Sequence, residues 1–304
     1  MALGFATATA ILTGALIVGD SVRGSLRDLA IERLGTIDHG LVSDRFVRAS
    51  MASDLSRVAN ARIAPAILLR GSASAPETGL RATGIQVCGV DSGFTDLFPG
   101  SGRYLLGQLA QEGHSTPYPP LVINRALQQQ LHVEIGDAIL LAVGKSAEVA
   151  PEFVFGSRAP QTRLLRVVLA GVVPDRDIGR FALHAQQTQP YNAFVRLRHL
   201  QQRLGRPGEV NALLAAATSA GKIDSVTVLQ QKLDEVLQLR DLGLLLSNHE
   251  AFLSLGSRQF MIAANLAAAA RDAASEIGAP FRPLLTYLAV AMKAGNRIIP
   301  YSTI

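Results

Sequence analysis

The sequence predicts an α+β protein, in which one N-terminal transmembrane helix is followed by a mixed α/β domain on one side of the membrane. Three observations predict it. First, Ala2 to Gly19 reads ALGFATATAILTGALIVG without a charged residue, and Asp20 then opens a stretch dense in Arg, Asp and Glu. About 20 apolar residues cross a hydrocarbon core of roughly 30 Å, so this run is just long enough. Its Gly, Ala and Thr content suits close packing against other membrane helices. Second, helix-like and strand-like segments alternate beyond Asp20 with hairpin signals between them, the pattern of antiparallel or mixed sheets. Third, 48% of the 304 residues are hydrophobic and the mean hydropathy is +0.25. One membrane helix plus an Ala/Leu-rich globular part produces such values.

Other readings of the first run stay open beside the anchor. A secretory signal would need a positive leading region and a small-residue cleavage site, and neither is evident. A buried core helix or strand is the plain alternative. Gly19-Asp20-Ser21-Val22 also looks like the nucleophile block of GDSL-type hydrolases, with Ser21 at a strand end. That chemistry needs a His three residues after an Asp. None of His39, His114, His132, His184, His199 and His249 has one.

Composition narrows the function classes. The net charge is +5 and the sequence pI about 9.7. Arginines are scattered, lysines few and aromatics only 5%, which argues against a nucleic-acid partner. Cys88 is the single cysteine, so no intrachain disulfide can form, and its apolar setting TGIQVCGVD reads as core. No catalytic, cofactor-binding or metal-ligating residues are assigned, and the chain is not expected to be an enzyme. Aspartates, glutamates and histidines are scattered, and no Gly-rich dinucleotide fingerprint follows a strand.

In chain order, Ser21 to Leu34 reads as a charged helix with a Leu26, Leu29, Ile31, Leu34 stripe, either solvated or a stalk continuing the anchor outward; Gly35 closes it. A strand is expected at Asp38 to Phe46, a short helix at Ser53 to Ala61, strands at Ile63 to Leu69 and Leu80 to Val90, and a helical turn at Phe94 to Phe98. A Pro-rich loop spans Gly113 to Pro120. Leu121 to Ile123 is a strand leading into Asn124, a good helix N-cap, with Ala126, Leu127 and Leu131 on one face of the helix that follows. Gly136-Asp137 reads as a hairpin-type turn before a strand at Ala138 to Val143. Gly144-Lys145-Ser146 invites a phosphate-loop reading, but Ile139 stands where its first Gly should be. Strands are expected at Leu164 to Val173 and Arg180 to Leu183, and a strand–helix–strand run from Asn192 through Leu197 to Leu204 to Val210 to Ala216. Val226 to Leu239 is an amphipathic helix with Val228, Leu229, Leu233, Val236 and Leu237 inward. Leu242 to Leu255 suggests a hairpin, Asn265 to Ile277 an Ala-rich helix and Pro283 to Val290 a last strand. The chain then ends as if interrupted.

Several blocks together resemble a family. GDSVRGSLRDLAIERLGTIDHGLVSDRFV (Gly19 to Val47), VINRALQQQLHVEIGDAILL (Val122 to Leu141), VVPDRDIGRFAL (Val172 to Leu183), YNAFVRLRHLQQRLG (Tyr191 to Gly205) and LLTYLAVAMKAGNRIIPYST (Leu284 to Thr303) are similar to FtsX-like ABC transporter permeases with a MacB-like periplasmic core domain. Their order and spacing carry the resemblance over nearly the whole chain. It implies residues 1–19 as a transmembrane helix and 20–304 as a two-lobed extracytoplasmic domain, incomplete at its C-terminus, on the bacterial inner membrane. It implies no catalytic residues, a cytoplasmic ABC ATPase partner acting through parts absent from this chain, and pairing with a second permease copy. The implied role is to transmit ATPase-driven motion to cargo or a partner protein. The alternative is a single-helix anchored binding module without ATPase coupling. The family carries a cytoplasmic segment before the first helix and further membrane helices after the domain, so an N-terminal fragment or a truncated gene product is expected. Arg23, Arg27 and Arg33 would by charge bias put their flank in the cytoplasm; the family pattern puts it outside, and we follow the family pattern.

Overall fold

The computed structural model describes residues 2–100, 102–110, 118–144, 162–183, 188–218, 225–257, 262–284, 288–294 and 297–303. The chain divides into two compact units, Met1–Gly243 and Leu244–Ile304.

The first unit begins with a single helix, α1 (Ala2–Leu34), that runs from the apolar segment into the charged one without a break at Gly19 or Asp20. At 1.5 Å per residue it is about 50 Å long. Leu16, Ile17 and Val18 point to three sides of it and are 63–69% exposed, so this part of the run is not a core helix. The side chains of residues 1–12 lie outside the described residues, and among those described no helix is long and apolar enough to cross a membrane.

Beyond α1 come β1 (His39–Arg48), α2 (Met51–Ala59), β2 (Ala61–Ser74), β3 (Arg81–Val90), α3 (Ser92–Thr95) and α4 (Gly102–Ala110). Then follow β4 (Pro120–Asn124), α5 (Arg125–Leu131), β5 (Ala138–Gly144) and β6 (Thr162–Val173). The unit ends with β7 (Asn192–Arg196), α6 (Leu197–Leu204), β8 (Glu209–Ala217) and α7 (Val226–Val236). Eight strands form one mixed sheet in the order β1-β8-β2-β3-β7-β4-β6-β5. β3 pairs with β7, and β4 with β6, in parallel; the other pairs are antiparallel.

β2 also pairs with β5, so β2, β3, β7, β4, β6 and β5 close into a ring. Along one edge, β2 meets β8 from Ala61 to Ala66 and β5 from Gly71 to Ser74. The buried Asn211 side chain spans the change of partner. It accepts from the Leu68 N–H at 2.8 Å and donates to the Leu68 carbonyl at 2.9 Å, standing in for a ladder rung. Gly71 is required by close approach, because a Cβ there would lie 2.4 Å from the Ala142 carbonyl oxygen.

β4, β7 and β8 are buried on both faces, which is why they read as apolar runs, whereas burial alternates along β5 and much of β6. Ile85, Val87, Leu121, Ile123, Ala193 and Val195 meet α2, α5 and α6 on one face. Cys88, Val90, Val122, Phe194, Leu214 and Ala216 meet the side chains of α3 and α4 on the other.

Two local features differ from the sequence reading. Arg180 to Leu183 is no strand: Asp177–Arg180 is a 3-10 turn and Phe181 packs in the core, because Pro174 ends β6 and carbonyls of this segment bond to side chains instead of a neighbouring strand. Gly136-Asp137 turns α5 into β5, as the helix–turn–strand reading expects, with Gly136 at φ +105° donating to the Leu169 carbonyl. α4 was not anticipated, since its sequence GRYLLGQLA carries two poor helix formers. Part of the Pro-rich loop, residues 111–117, and Lys145-Ser146 lie outside the described residues.

The second unit holds the expected hairpin, β9 (Leu244–His249) with β10 (Phe252–Ser257), and the Ala-rich helix α8 (Ala264–Glu276). Gly278 follows the helix at φ +67°. Residues 285–287 lie outside the described residues; the last strand expected at Pro283 to Val290 is instead β11 (Leu288–Ala294), paired with an unanticipated β12 (Arg297–Thr303).

Candidate functional site

The described residues place no group of three or more His, Cys, Asp or Glu where it could hold a metal ion. Ser21 sits exposed within α1, preceded by helix rather than a strand. Cys88 is fully buried and burial pushes its thiol up to about 12, so the reactive thiolate is suppressed. His132 caps the end of α5 and His249 stacks on Phe252 at 4.6 Å. His199, on α6, is held below the usual imidazole range, first by burial and then by the charges of Arg198 and Arg196. His114 and His184 lie outside the described residues.

What the sequence does build is a joint between α1 and the sheet. Gly35 ends the helix at φ +59°, where a Cβ would fall 2.7 Å from both the Leu97 carbonyl oxygen and the Phe98 ring. Two independent constraints thus ask for glycine here. Thr36 follows and donates twice to the Leu97 carbonyl, from its N–H at 3.0 Å and its hydroxyl at 2.9 Å. Ile37 is buried. Asp38 then clasps β8: its N–H donates to the Ala215 carbonyl, and its carboxylate accepts from the Ala217 N–H, both at 2.9 Å. Thr36 and Asp38 therefore tie the end of α1 to fixed backbone, with Gly35 and Ile37 packed on either side of Thr36.

The surface that receives them is rigid for its own reasons. Phe94, Phe98 and Phe181 pack with ring centroids 5.2–5.8 Å apart, two of the three pairs edge to face. Asp91 caps α3 by accepting from the Phe94 N–H at 3.1 Å, and burial raises its carboxyl above the usual range. The 3-10 turn Asp177–Arg180 packs beside the last part of α1, where Arg180 reaches Glu32 at 3.9 Å. Both side chains are substantially exposed, so this ion pair contributes little.

That turn is held from the middle of the sheet by two fully buried asparagines on neighbouring strands. Asn124 donates to the carbonyls of Gly179 at 3.0 Å and Pro190 at 2.7 Å, and its oxygen accepts from the N–H groups of Leu127 and Asn192. Asn192 donates to the carbonyls of Gly179 at 3.1 Å and Phe181 at 3.0 Å. A side chain at Gly179 would strike the Pro174 carbonyl oxygen at 1.9 Å, so the turn has no slack. Buried amides engaged in this way fix one arrangement, since each broken bond strands a desolvated group. The sequence identifies Asn124 as a cap and Gly35 as a helix stop. It does not expose their shared purpose, nor Asn192, because a strand-initial Asn carries no signal of burial.

The arrangement consists of packing and of hydrogen bonds between backbone and buried side chains. It is a chain of stiff contacts from a long helix, through a turn and an aromatic cluster, to the centre of a closed sheet.

No family model matches the chain, and no curated protein matches it. Solved structures similar to it include two extracytoplasmic domains. One is the periplasmic region of MacB from Actinobacillus actinomycetemcomitans, with TM-score 0.37, 11% identity, and coverage of 68% of this chain and 86% of that one. The other is the extracellular domain of the noncanonic ABC-type transporter YknZ from Gram-positive bacteria, with TM-score 0.35, 11% identity, and coverage of 64% and 86%. Both come from the class of proteins that the sequence blocks resemble.

Proposed function

We propose that this chain is the first transmembrane helix and extracytoplasmic domain of an FtsX/MacB-like ABC transporter permease. It transmits motion from a cytoplasmic ATPase to cargo or a partner protein for export or release. Residues 1–19 lie in the inner membrane, residues 20–304 outside it, and a second permease copy stands alongside. The observation that carries this reading is the continuity of α1 and the fixity of its end. A helix with no break at Gly19 or Asp20 transmits displacement along its axis, and residues 35–38 pass that displacement to β8 and the Phe94 cluster. The exposed Leu16, Ile17 and Val18 fit lipid or neighbouring membrane helices better than water. The run Ala2 to Gly19 would cover about 27 Å, close to a bilayer core.

The test uses the chain joined to the rest of its native permease subunit in native membranes, so that the parts that meet the ATPase are present. Glu134, exposed after α5, is changed to Cys (E134C); buried Cys88 gives little background. A membrane-impermeant maleimide is expected to label E134C in intact cells, and alkaline washing is expected to leave the protein in the pellet. Trapping ABC ATPases with ATP and vanadate is expected to change the labelling rate of a second variant, D20C, at the membrane flank. Labelling of E134C only after lysis would sink the reading. External labelling with no response of D20C to trapping would leave an anchored binding module in its place.

A further inference from the structure

We propose that residues 225–243 form a releasable strap on the first unit, latched by Arg48 at the end of β1. The strap consists of α7, a short link and the 3-10 turn Leu239–Leu242, and it joins no ladder of the sheet. Nothing in α7 is fully buried. Its Leu229, Leu233 and Val236 rest half-buried on a patch formed by Leu55, Ala59, Ala61 and Ile63, and Leu233, Val236 and Leu237 also pack against the main core. Such a segment, with few buried apolar groups and no strand pairing, belongs to the least stable part of a fold.

Its polar fastening is concentrated at one place. Arg48 and Asp241 are both buried, 8% and 5% exposed. The Arg48 Nε donates to the two carboxylate oxygens of Asp241 at 3.0 and 2.9 Å, and the Arg48 N–H donates to Oδ1 at 3.1 Å. The Arg48 Nη2 caps the C-terminal end of α7 by donating to the Val236 carbonyl at 3.0 Å. Arg45, on the same strand, donates to the Leu242 carbonyl at 3.4 Å. Within the strap, the Gln238 N–H donates to Asp241 Oδ2 at 3.0 Å, which shapes the turn around the latch. On the sheet side, Arg48 is oriented by Asp54 of α2 at 2.9 Å.

The position gives the latch its meaning. β1 follows α1 directly across the joint at residues 35–38, and its last residue is Arg48. The residue it grips, Asp241, lies just before Gly243, where the first unit ends. β1 therefore links the helix to the segment that fixes where the chain leaves this unit. A displacement of β1 that pulls Arg48 from Asp241 leaves the buried Asp241 carboxylate without its charge partner, while Arg48 keeps Asp54, and turns the strap into linker. A buried ion pair suits such a switch, because it is stable when intact and strongly unfavourable when half broken.

Hydrogen exchange on the full chain tests this without reference to transport. Three proteins are compared: the natural chain, R48M, and the double variant R48M/D241L, which removes both charges. In R48M, amides of residues 229–237 are expected to exchange at least about 100-fold faster, while ladder amides of β3, β6 and β7 keep their protection. R48M/D241L is expected to recover most of the strap's protection, since an apolar pair leaves no buried charge. The proposal is overturned if R48M leaves residues 229–237 protected. It is equally overturned if the ladder amides lose protection with them, because the strap would then be inseparable from the core, or if the double variant exchanges as fast as R48M.

Discussion

Asn124 ends β4, caps α5 and holds two carbonyls of other segments with one side-chain amide. Substitution by Ala removes the cap of the Leu127 N–H and the donor to the buried Pro190 carbonyl, while the Gly179 carbonyl keeps Asn192 as its donor. Loss of a cap costs about 1 kcal/mol, and a stranded buried acceptor about 1–3 kcal/mol more. N124A is therefore expected to lower unfolding stability by about 2–4 kcal/mol in urea titrations. A change under about 0.5 kcal/mol, typical of surface sites, would show that the amide does not hold the turn. Asp91 makes the opposite case. Burial, foremost, raises its carboxyl, so the folded chain favours the protonated form. The contribution of that shift is fully present below the ordinary carboxylate pKa of about 3.9, and it is lost as pH rises through the raised value. D91N stays neutral and keeps an oxygen for the Phe94 N–H. Its denaturation midpoint is expected to gain on the natural chain as pH rises from about 3.5 to about 7; a difference constant with pH would contradict the assignment.

Elements with a periodic signal of their own were legible in the sequence. The β4–α5 unit was, because Asn124 marks the N-cap and Leu127 and Leu131 recur on one face. α7 was too, with Val228, Leu229, Leu233, Val236 and Leu237 on its covered side. Where distant residues decide the conformation, the sequence misled. Arg180 to Leu183 has the apolar look of a strand, yet it turns because Asn124 and Asn192, remote in sequence, take its carbonyls. β12 had a usable signal in Gly295-Asn296, a two-residue hairpin sequence between apolar runs. The candidate site was only half legible: Gly35 stood out as a helix stop, whereas Thr36, Asp38 and the Arg48–Asp241 pair depend on partners 61, 179 and 193 residues away.

At the scale of the first unit, the ring of six strands exists only because β2 exchanges β8 for β5 along one edge. The exchange is a bend, marked by a register shift between Gly71 and Ser72 and by the Asn211 rung just before it. Under the proposed function, closure would let a displacement of α1, passed through β8 to β2, reach the other strands of the ring, since a closed ring has no free edge at which to slip. Its weak point is Gly71, where a Cβ would penetrate the Ala142 carbonyl at 2.4 Å in the partner strand β5. Gly144, at the end of β5, has open space around a built Cβ and serves as the control. G71A must push β5 away from β2 or keep a backbone clash that no rotamer relieves. It is expected to destabilise by more than about 3 kcal/mol and to raise exchange at Leu140 to Val143 first, the cost of overpacking at a rigid contact. G144A is expected to change stability by less than about 1 kcal/mol. If the two variants behave alike in urea titrations, β5 yields freely at this contact, and the sheet behaves as an open one with β5 loosely laid against β2. A helix fixed near β8 would then move only the strands beside it.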